Sequence, residues 1–192
     1  MTAIHDRNHV KGVFHAARFW GLTVGLAVTP FALTAHAEPK NGADGAIKRE
    51  PPAIYDTKAD GQEQIKEALE VAKKENKRVL LKFGANWCVW CRQLHRLFEQ
   101  DQRVAGKLKD GFVLVFIDVD TVDGKKHNEE VDRKYGNPTK NGLPVLVVLD
   151  AEGQILVTQS TEPFEVEDHH DPEKVLAFLS RWTPPTKSAK TP

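Results

Sequence analysis

The sequence predicts an α/β domain in which a mixed central β-sheet is flanked by α-helices on both faces. Helical and strand-like patterns alternate between residues 59 and 182, and such alternation is typical of α/β domains. The first strand–helix–strand order predicts a parallel pair, because a helical crossover returns the chain in the same direction. Turn-forming residues at 150–153 join two late strands in a hairpin, which adds an antiparallel edge.

Helices are predicted where apolar residues recur at intervals of three and four positions. Asp60 and Glu63 form a capping box that can start the first helix. Asp171 can cap the last helix, with Pro172 at its first position. The predicted helices cover residues 60–76, 88–100, 128–135 and 172–182, with a further short helix after Asp101.

Strands are predicted where short runs are rich in apolar and β-branched residues. The strongest of these runs is FVLVFI, at residues 112–117. Nearly uninterrupted apolar runs of this kind predict strands that are buried on both faces. The predicted strands are residues 79–83, 112–117, 145–149 and 155–157.

Both ends of the chain differ in composition from the predicted domain, residues 59–182. Residues 1–37 are predicted to be a cleaved signal peptide, because basic residues precede an uncharged apolar stretch and the small-x-small sequence Ala35-His36-Ala37. Residues 38–58 and 183–192 are rich in proline and polar residues, and they are predicted to be a disordered leader and a disordered tail. Export predicts a periplasmic location, where thiols meet an oxidising environment.

Composition excludes several classes of protein. The chain has 27 basic and 27 acidic residues, and this balance argues against nucleic acid as a partner, since nucleic-acid binders carry a basic excess. A hydrophobic fraction of 40% with 28% charged residues fits a folded globular protein. Two cysteines are too few for a disulfide-stapled scaffold or a four-thiolate zinc site.

Both cysteines lie in Trp87-Cys88-Val89-Trp90-Cys91, where a predicted strand leads through a short loop into a helix. The first turn of a helix presents unpaired N–H groups and a partial positive charge, which stabilise a thiolate. We therefore predict that Cys88 is the attacking thiolate with a lowered pKa, and that Cys91 is the resolving thiol. Half of a zinc site and an inert structural disulfide are the alternatives. The first lacks further ligands at suitable spacing, and the second closes too short a loop to add much stability.

The segment VLLKFGANWCVWCRQLHRLF, residues 79–98, resembles the active-site segment of the thioredoxin superfamily. Gly142-Leu143-Pro144-Val145 looks like the cis-proline loop of that family. The resemblance implies a thioredoxin fold and a cis peptide bond before Pro144. It also implies substrate contacts at Trp87, Trp90, Leu143 and Pro144. For Trp90, local packing on the helix is an equal alternative.

Two residues near the cysteines are candidates for tuning their pKa values. Lys82 stands where thioredoxins carry a buried aspartate that helps to move the proton of the buried cysteine. Lys82 has three possible roles: an ammonium that favours thiolates, a desolvated amine that accepts a proton, or a stem packed on the sheet with its ammonium in water. His95, four residues after Cys91, is either a structural hydrogen-bonding group or a proton shuttle.

The predicted function is that of an exported thiol–disulfide oxidoreductase that reduces substrate disulfides through Cys88 and Cys91. The reducing direction is predicted because Val89 and Trp90, between the sulfurs, provide no cation that stabilises the reduced form. The expected partners are disulfide-containing proteins and a membrane thiol electron donor, with the protein a monomer and without cofactor or metal. A disulfide isomerase or oxidant and a copper(I)-binding thiol module stay open as alternatives. The charged run at 165–171 could hold a metal ion, but a solvated loop is favoured.

Overall fold

The computed structural model describes residues 51–185. The predicted signal peptide, residues 1–37, lies outside the described residues, as do residues 38–50 of the predicted leader and 186–192 of the predicted tail. Within residues 51–185, none of the helices is both long and apolar enough to cross a membrane.

The described part of the chain contains five α-helices, two short 3₁₀ helices (Pro138–Asn141 and Glu162–Phe164) and eight strands. The helices are α1 (Gly61–Glu75), α2 (Val89–Gln100), α3 (Gln102–Gly111), α4 (Glu129–Lys134) and α5 (Pro172–Trp182). The strands are β1 (Arg78–Gly84), β2 (Phe112–Asp118), β3 (Thr121–Val122), β4 (Lys125–Lys126), β5 (Val145–Leu149), β6 (Ile155–Ser160), β7 (Glu165–Val166) and β8 (His169–His170). The predicted helices and strands are therefore all present, with small shifts at their ends.

Four of the strands form a mixed sheet in the order β2–β1–β5–β6. β1 pairs in parallel with β2 and antiparallel with β5, and β6 pairs antiparallel with β5. The register of the parallel pair places Lys82 opposite Phe116 and Gly84 opposite Asp118. Because residues two apart on a strand face the same side, these four residues line one face of the sheet.

Helices cover both faces of this sheet. On one face, α1 and α4 pack against a cluster that includes Leu81 and Phe83 of β1. On the other face, α2, α3 and α5 pack against a cluster that includes Leu80 of β1 and Val148 of β5. Complete burial of one such side chain contributes about 1.5–3 kcal/mol, so the central strand is firmly held. The predicted fold class is confirmed.

Side-chain caps fix the start of several helices as the sequence predicts. Asp60 accepts the N–H groups of Gln62 and Glu63 at the start of α1. Asp101 likewise accepts two N–H groups at the start of α3, and Asp171 accepts the N–H of Glu173 at the start of α5. The start of α2 differs from these, since its N-cap residue is Cys88.

Two predictions about irregular segments are wrong in part. Residues 166–169 of the solvated loop predicted at 165–171 are exposed as expected, but the segment forms the antiparallel hairpin β7–β8, in which His170 is only 3% exposed. The leader was predicted to be disordered through residue 58. The ordered part begins earlier, because Tyr55 is 1% exposed and packs with Cys88 and Cys91.

Candidate active site

The two cysteines form a disulfide bond at the start of α2, with their Cα atoms 5.2 Å apart. Cys88 caps the helix, with φ −72° and ψ 112°, and its sulfur accepts the backbone N–H of Cys91 at 3.1 Å. The positive end of the helix thus points at the Cys88 sulfur. In the reduced protein the same contacts would favour the thiolate of Cys88.

The two cysteines differ in their access to solvent. Cys91 is fully buried, whereas Cys88 is 5% exposed at the edge of the cluster. The side chains packed against the pair are Ile54, Trp90, Phe116 and Leu143. Cys88 is therefore the sulfur that a substrate can approach.

The tryptophans predicted to contact substrate lie in different environments. Trp87 is 66% exposed, and its indole N–H donates to Asp120 at 2.8 Å. Trp90 is half-buried and packs edge-on against His170, with ring centroids 5.2 Å apart. This contact favours local packing for Trp90. Trp87 and Val89, which is also 66% exposed, leave an apolar rim beside the cysteine pair.

The loop before β5 lies next to the cysteines, as the sequence predicts. The peptide bond between Leu143 and Pro144 is cis. Leu143 packs against the cysteine cluster, while the carbonyl oxygen of Pro144 accepts the Thr161 hydroxyl at 3.0 Å. The loop thus lies at the start of β5, with Leu143 packed against the cluster that contains Cys88.

Lys82 lies on β1 beneath the cysteine pair and is fully buried. Its Nζ donates to the hydroxyl oxygen of Tyr55 at 2.6 Å and to the carbonyl oxygen of Cys91 at 3.1 Å. The same Nζ lies 4.7 Å from the ring centroid of Tyr55 and 5.2 Å from that of Phe116. Desolvation lowers the pKa of Lys82 from 10.5 to about 7. The alternative in which its ammonium reaches water is therefore wrong.

Gly84 makes room for this close packing. A Cβ atom at Gly84 would lie 2.7 Å from the sulfur of Cys91 and nearer still to the hydroxyl oxygen of Tyr55. Both side chains thus pack against the bare backbone of Gly84, within one buried cluster. Any side chain at this position would displace one of them.

A buried carboxylate lies at the end of β2. The side chain of Asp118 is 1% exposed, and its Oδ2 is 2.8 Å from Nδ1 of His127. Desolvation raises the pKa of Asp118, against the lowering effect of His127. Burial, and after it the charge of Asp118, raises the pKa of Tyr55 well above its usual value. The Tyr55 hydroxyl is therefore protonated at neutral pH.

His95 contacts Glu99 and Phe116. Its Nε2 is 3.3 Å from the carboxylate of Glu99, and its ring packs edge-on against Phe116 with centroids 5.4 Å apart. Desolvation lowers the pKa of His95, and the charge of Lys82 adds to this effect. Its buried Nδ1 has no hydrogen-bond partner within residues 51–185, so a structural role and a proton shuttle both stay open for His95.

Residues 52–55 are fastened to the loop that carries the cysteines. Oδ1 of Asn86 accepts the N–H groups of Ile54 and Tyr55 at 2.8 and 3.0 Å, and its Nδ2 donates to the carbonyl oxygen of Tyr55 at 2.9 Å. Arg92 donates to the carbonyl oxygen of Pro52 at 2.9 Å. These contacts were not predicted from the sequence. The feature of the sequence that could have indicated them is the apolar pair Ile54-Tyr55 within a polar segment.

Comparison with known proteins places this geometry in a family. Residues 60–151 match a family model described as thioredoxin-like. A disulphide isomerase from Xylella fastidiosa, known from its crystal structure, shares 32% sequence identity with this chain. The two structures superpose with a TM-score of 0.57, and the match covers 68% of this chain and 96% of that one. The chain belongs to the thioredoxin superfamily.

Two curated relatives are named for disulfide chemistry. The disulfide bond reductase DsbH of Chlamydia pneumoniae is 34% identical over 109 residues, which are 53% of this chain and 63% of the relative. The thiol:disulfide interchange protein DsbD of Vibrio vulnificus is 28% identical over 148 residues, which are 76% of this chain and 24% of the relative. The chain thus spans less than two thirds of either. The predicted recognition, a thiol–disulfide oxidoreductase of the thioredoxin superfamily, is confirmed.

Replacing Asn86 by alanine should lower the free energy of unfolding by about 2 kcal/mol, because three hydrogen bonds to residues 54 and 55 are lost. Urea denaturation followed by circular dichroism measures this difference. The matched control is Asn141→Ala, since Asn141 is exposed on the surface of this thioredoxin-superfamily domain. Equal stability of the two variants would contradict the expectation.

Proposed function

We propose that this protein is an exported enzyme that reduces disulfide bonds in substrate proteins through Cys88 and Cys91. The observation that carries the proposal is the position of Cys88, whose sulfur caps α2 and accepts a backbone N–H beside the loop of Leu143. A sulfur in this place is suited to act as a thiolate nucleophile. Cys91, buried behind it and able to bond to it, is suited to resolve the product.

The reaction that we propose has two exchange steps. The Cys88 thiolate attacks one sulfur of a substrate disulfide, which releases the other substrate sulfur as a thiolate and leaves a mixed disulfide. Cys91 then loses its proton and attacks the sulfur of Cys88. The bond between Cys88 and the substrate breaks, and the electron pair stays with the second substrate sulfur. The substrate gains two electrons, and the Cys88–Cys91 disulfide forms.

Two observations support the reducing direction. The residues between the sulfurs, Val89 and Trp90, carry no charge, so no cation there stabilises the reduced form beyond the effect of the helix. The chlamydial relative is itself named a disulfide bond reductase. A membrane thiol donor that returns electrons to Cys88 and Cys91 completes the proposal, since no soluble reductant pool is expected outside the cytoplasm.

The substrate surface that we propose combines the apolar rim with the loop before β5. Trp87 and Val89 are each 66% exposed, which suits them to contact apolar side chains around a substrate cystine. The backbone of Leu143 is suited to pair with an extended substrate segment by strand addition, and Pro144 is suited to contact the same segment through its ring. The periplasm is the proposed location, on the basis of the signal peptide predicted at residues 1–37, and a monomer is the proposed state.

Redox equilibration with glutathione tests the direction of electron flow. We expect a reduction potential below about −200 mV, in the part of the superfamily range occupied by reductases. Reduced protein should then reduce insulin in a turbidity assay. A potential near about −120 mV, the value of the strong periplasmic oxidant, would reverse the proposed direction.

Isomerisation is a second candidate because the Xylella relative is named a disulphide isomerase. An isomerase must attack wrong disulfides and then leave the substrate oxidised. Recovery of activity by scrambled ribonuclease, with no external reductant beyond catalytic dithiol, measures this reaction. Fast recovery together with slow net reduction of insulin would favour the isomerase over the reductase.

A further inference from the structure

We propose that Lys82, acting through the hydroxyl group of Tyr55, accepts the proton that Cys91 loses when it resolves the mixed disulfide. The inference rests on the proposed function, in which Cys91 is the resolving thiol. It assigns a role to a buried lysine and to a tyrosine outside the matched family segment, residues 60–151. It also names a proton acceptor on β1, where a lysine cannot act as an anionic base.

Contacts around Gly84 connect the three groups. The Cys91 sulfur and the Tyr55 hydroxyl oxygen both lie within 2.7 Å of the place that a Cβ on Gly84 would take. The Tyr55 hydroxyl in turn is 2.6 Å from Nζ of Lys82. The proposed path leads from the Cys91 sulfur to the Tyr55 oxygen, which packs against the same glycine in the same buried cluster, and from that oxygen to Nζ of Lys82. Cys91, Tyr55 and Lys82 are each no more than 1% exposed, so water does not compete with this path.

The chemistry of Lys82 suits it to accept a proton near neutral pH. Desolvation lowers its pKa to about 7, so a large fraction of the side chain is a neutral amine with a free lone pair. The raised pKa of Tyr55 keeps its hydroxyl protonated. Tyr55 can then take one proton from Cys91 while it gives its own to Lys82, and it never carries a net charge.

Other titratable groups face Lys82 from the surrounding elements. They are Tyr55 itself, Cys91 and His95 of α2, Asp118 of β2 and His170 of β8. Asp118 is the competing acceptor, because its charge also acts on Tyr55. Its Oδ2 is held by His127 at 2.8 Å, and its buried Oδ1 has no hydrogen-bond partner within residues 51–185, the Tyr55 hydroxyl included, whereas Lys82 contacts that hydroxyl directly. The contacts therefore favour Lys82.

Protons and electron pairs are conserved when Cys91 resolves the mixed disulfide. The thiol proton of Cys91 moves to the Tyr55 oxygen as the Tyr55 proton moves to Nζ of Lys82, which becomes an ammonium. The Cys91 sulfur bonds to the Cys88 sulfur, the bond from Cys88 to the substrate breaks, and the substrate sulfur leaves with the electron pair and takes a proton from water. When a dithiol donor later reduces the Cys88–Cys91 disulfide, Lys82 returns its proton to the Cys91 sulfur.

Rapid mixing of the reduced protein with 5,5′-dithiobis(2-nitrobenzoate) separates the two steps. Attack by Cys88 releases one coloured thiolate in a concentration-dependent phase, and resolution by Cys91 releases the second in a unimolecular phase. In the wild type we expect the second rate constant to rise through about pH 7 and then level off. In Lys82→Met and Tyr55→Phe we expect it to fall about tenfold at pH 7. It should recover in both variants at high pH, where hydroxide replaces the missing acceptor.

Tyr135→Phe is the matched control, since Tyr135 is the other of the chain's two tyrosines and is buried in the cluster on the opposite face. It should keep the wild-type profile. Profiles of Lys82→Met and Tyr55→Phe that match the wild type, or that fall by the same factor at every pH, would overturn the inference. So would a changed profile in Asp118→Asn alone. Loss of the first phase in the wild type would instead refute the proposed function, because that phase reports Cys88.

Discussion

Replacing Cys88 by serine should reduce the rate of insulin reduction by roughly a thousandfold or more, because a serine hydroxyl is not ionised at neutral pH and cannot replace the thiolate. Replacing Cys91 by serine should also stop turnover, but for a different reason. The Cys88 thiolate is still capped by the helix and can attack, so the variant should accumulate as a mixed disulfide. Non-reducing gel electrophoresis with a disulfide-containing substrate distinguishes the two variants.

The double variant Cys88→Ser/Cys91→Ser is the control for unspecific adducts, since the chain has two cysteines in all. It should form no adduct and show no activity. An adduct that forms in Cys88→Ser and is absent from Cys91→Ser would reverse the roles assigned to the two sulfurs. That outcome would contradict the burial of Cys91 behind Cys88.

The stability of the oxidised protein should rise with pH between pH 7 and pH 9, relative to the variant Lys82→Met. Lys82 has a pKa of about 7 in the folded protein and of 10.5 as its ordinary value. Below pH 7 the side chain is protonated in both states, and the folded protein bears the full cost of a buried ammonium. Between the two pKa values the unfolded chain binds one more proton than the folded protein. The free energy of unfolding should therefore increase by about 1 kcal/mol per pH unit.

Urea denaturation of the oxidised proteins at pH 6, 7, 8 and 9 measures this effect, because the thiols cannot titrate in the disulfide form. The variant Lys73→Met removes one positive charge from an exposed site on α1 and serves as the control. Its difference from the wild type should stay constant over this range. A constant difference between wild type and Lys82→Met would show that Lys82 keeps its ammonium form when folded.

Much of the fold follows from sequence patterns because those patterns report burial. Apolar runs such as residues 145–149 occur where a strand is covered on both faces, and they are buried throughout here. The caps at Asp60 and Asp171 are equally local, since each joins groups two or three residues apart. The cysteine pair is predictable for the same reason, as its geometry arises within one helical turn.

The rest of the site depends on contacts between distant parts of the chain. Lys82 and Tyr55 are 27 residues apart, and the burial of each depends on the other. A lysine in a strand is usually exposed, so the sequence alone leaves its role open. The hairpin that brings His170 against Trp90 is similar, because residues 165–171 have the composition of a solvated loop and are ordered by packing on α2.

The attachment of residues 52–55 to the Asn86 loop has a practical consequence for expression. The region shared with the family begins at residue 60, and a clone truncated at that boundary would still encode every helix and strand described above. It would lack Tyr55, and the amine of Lys82 would lose its 2.6 Å partner. Such a shortened protein would keep the segments that form the sheet. The cluster around Cys88 and Cys91 would lose Tyr55 and become open to water. Recombinant versions of this enzyme should therefore start upstream of Pro52.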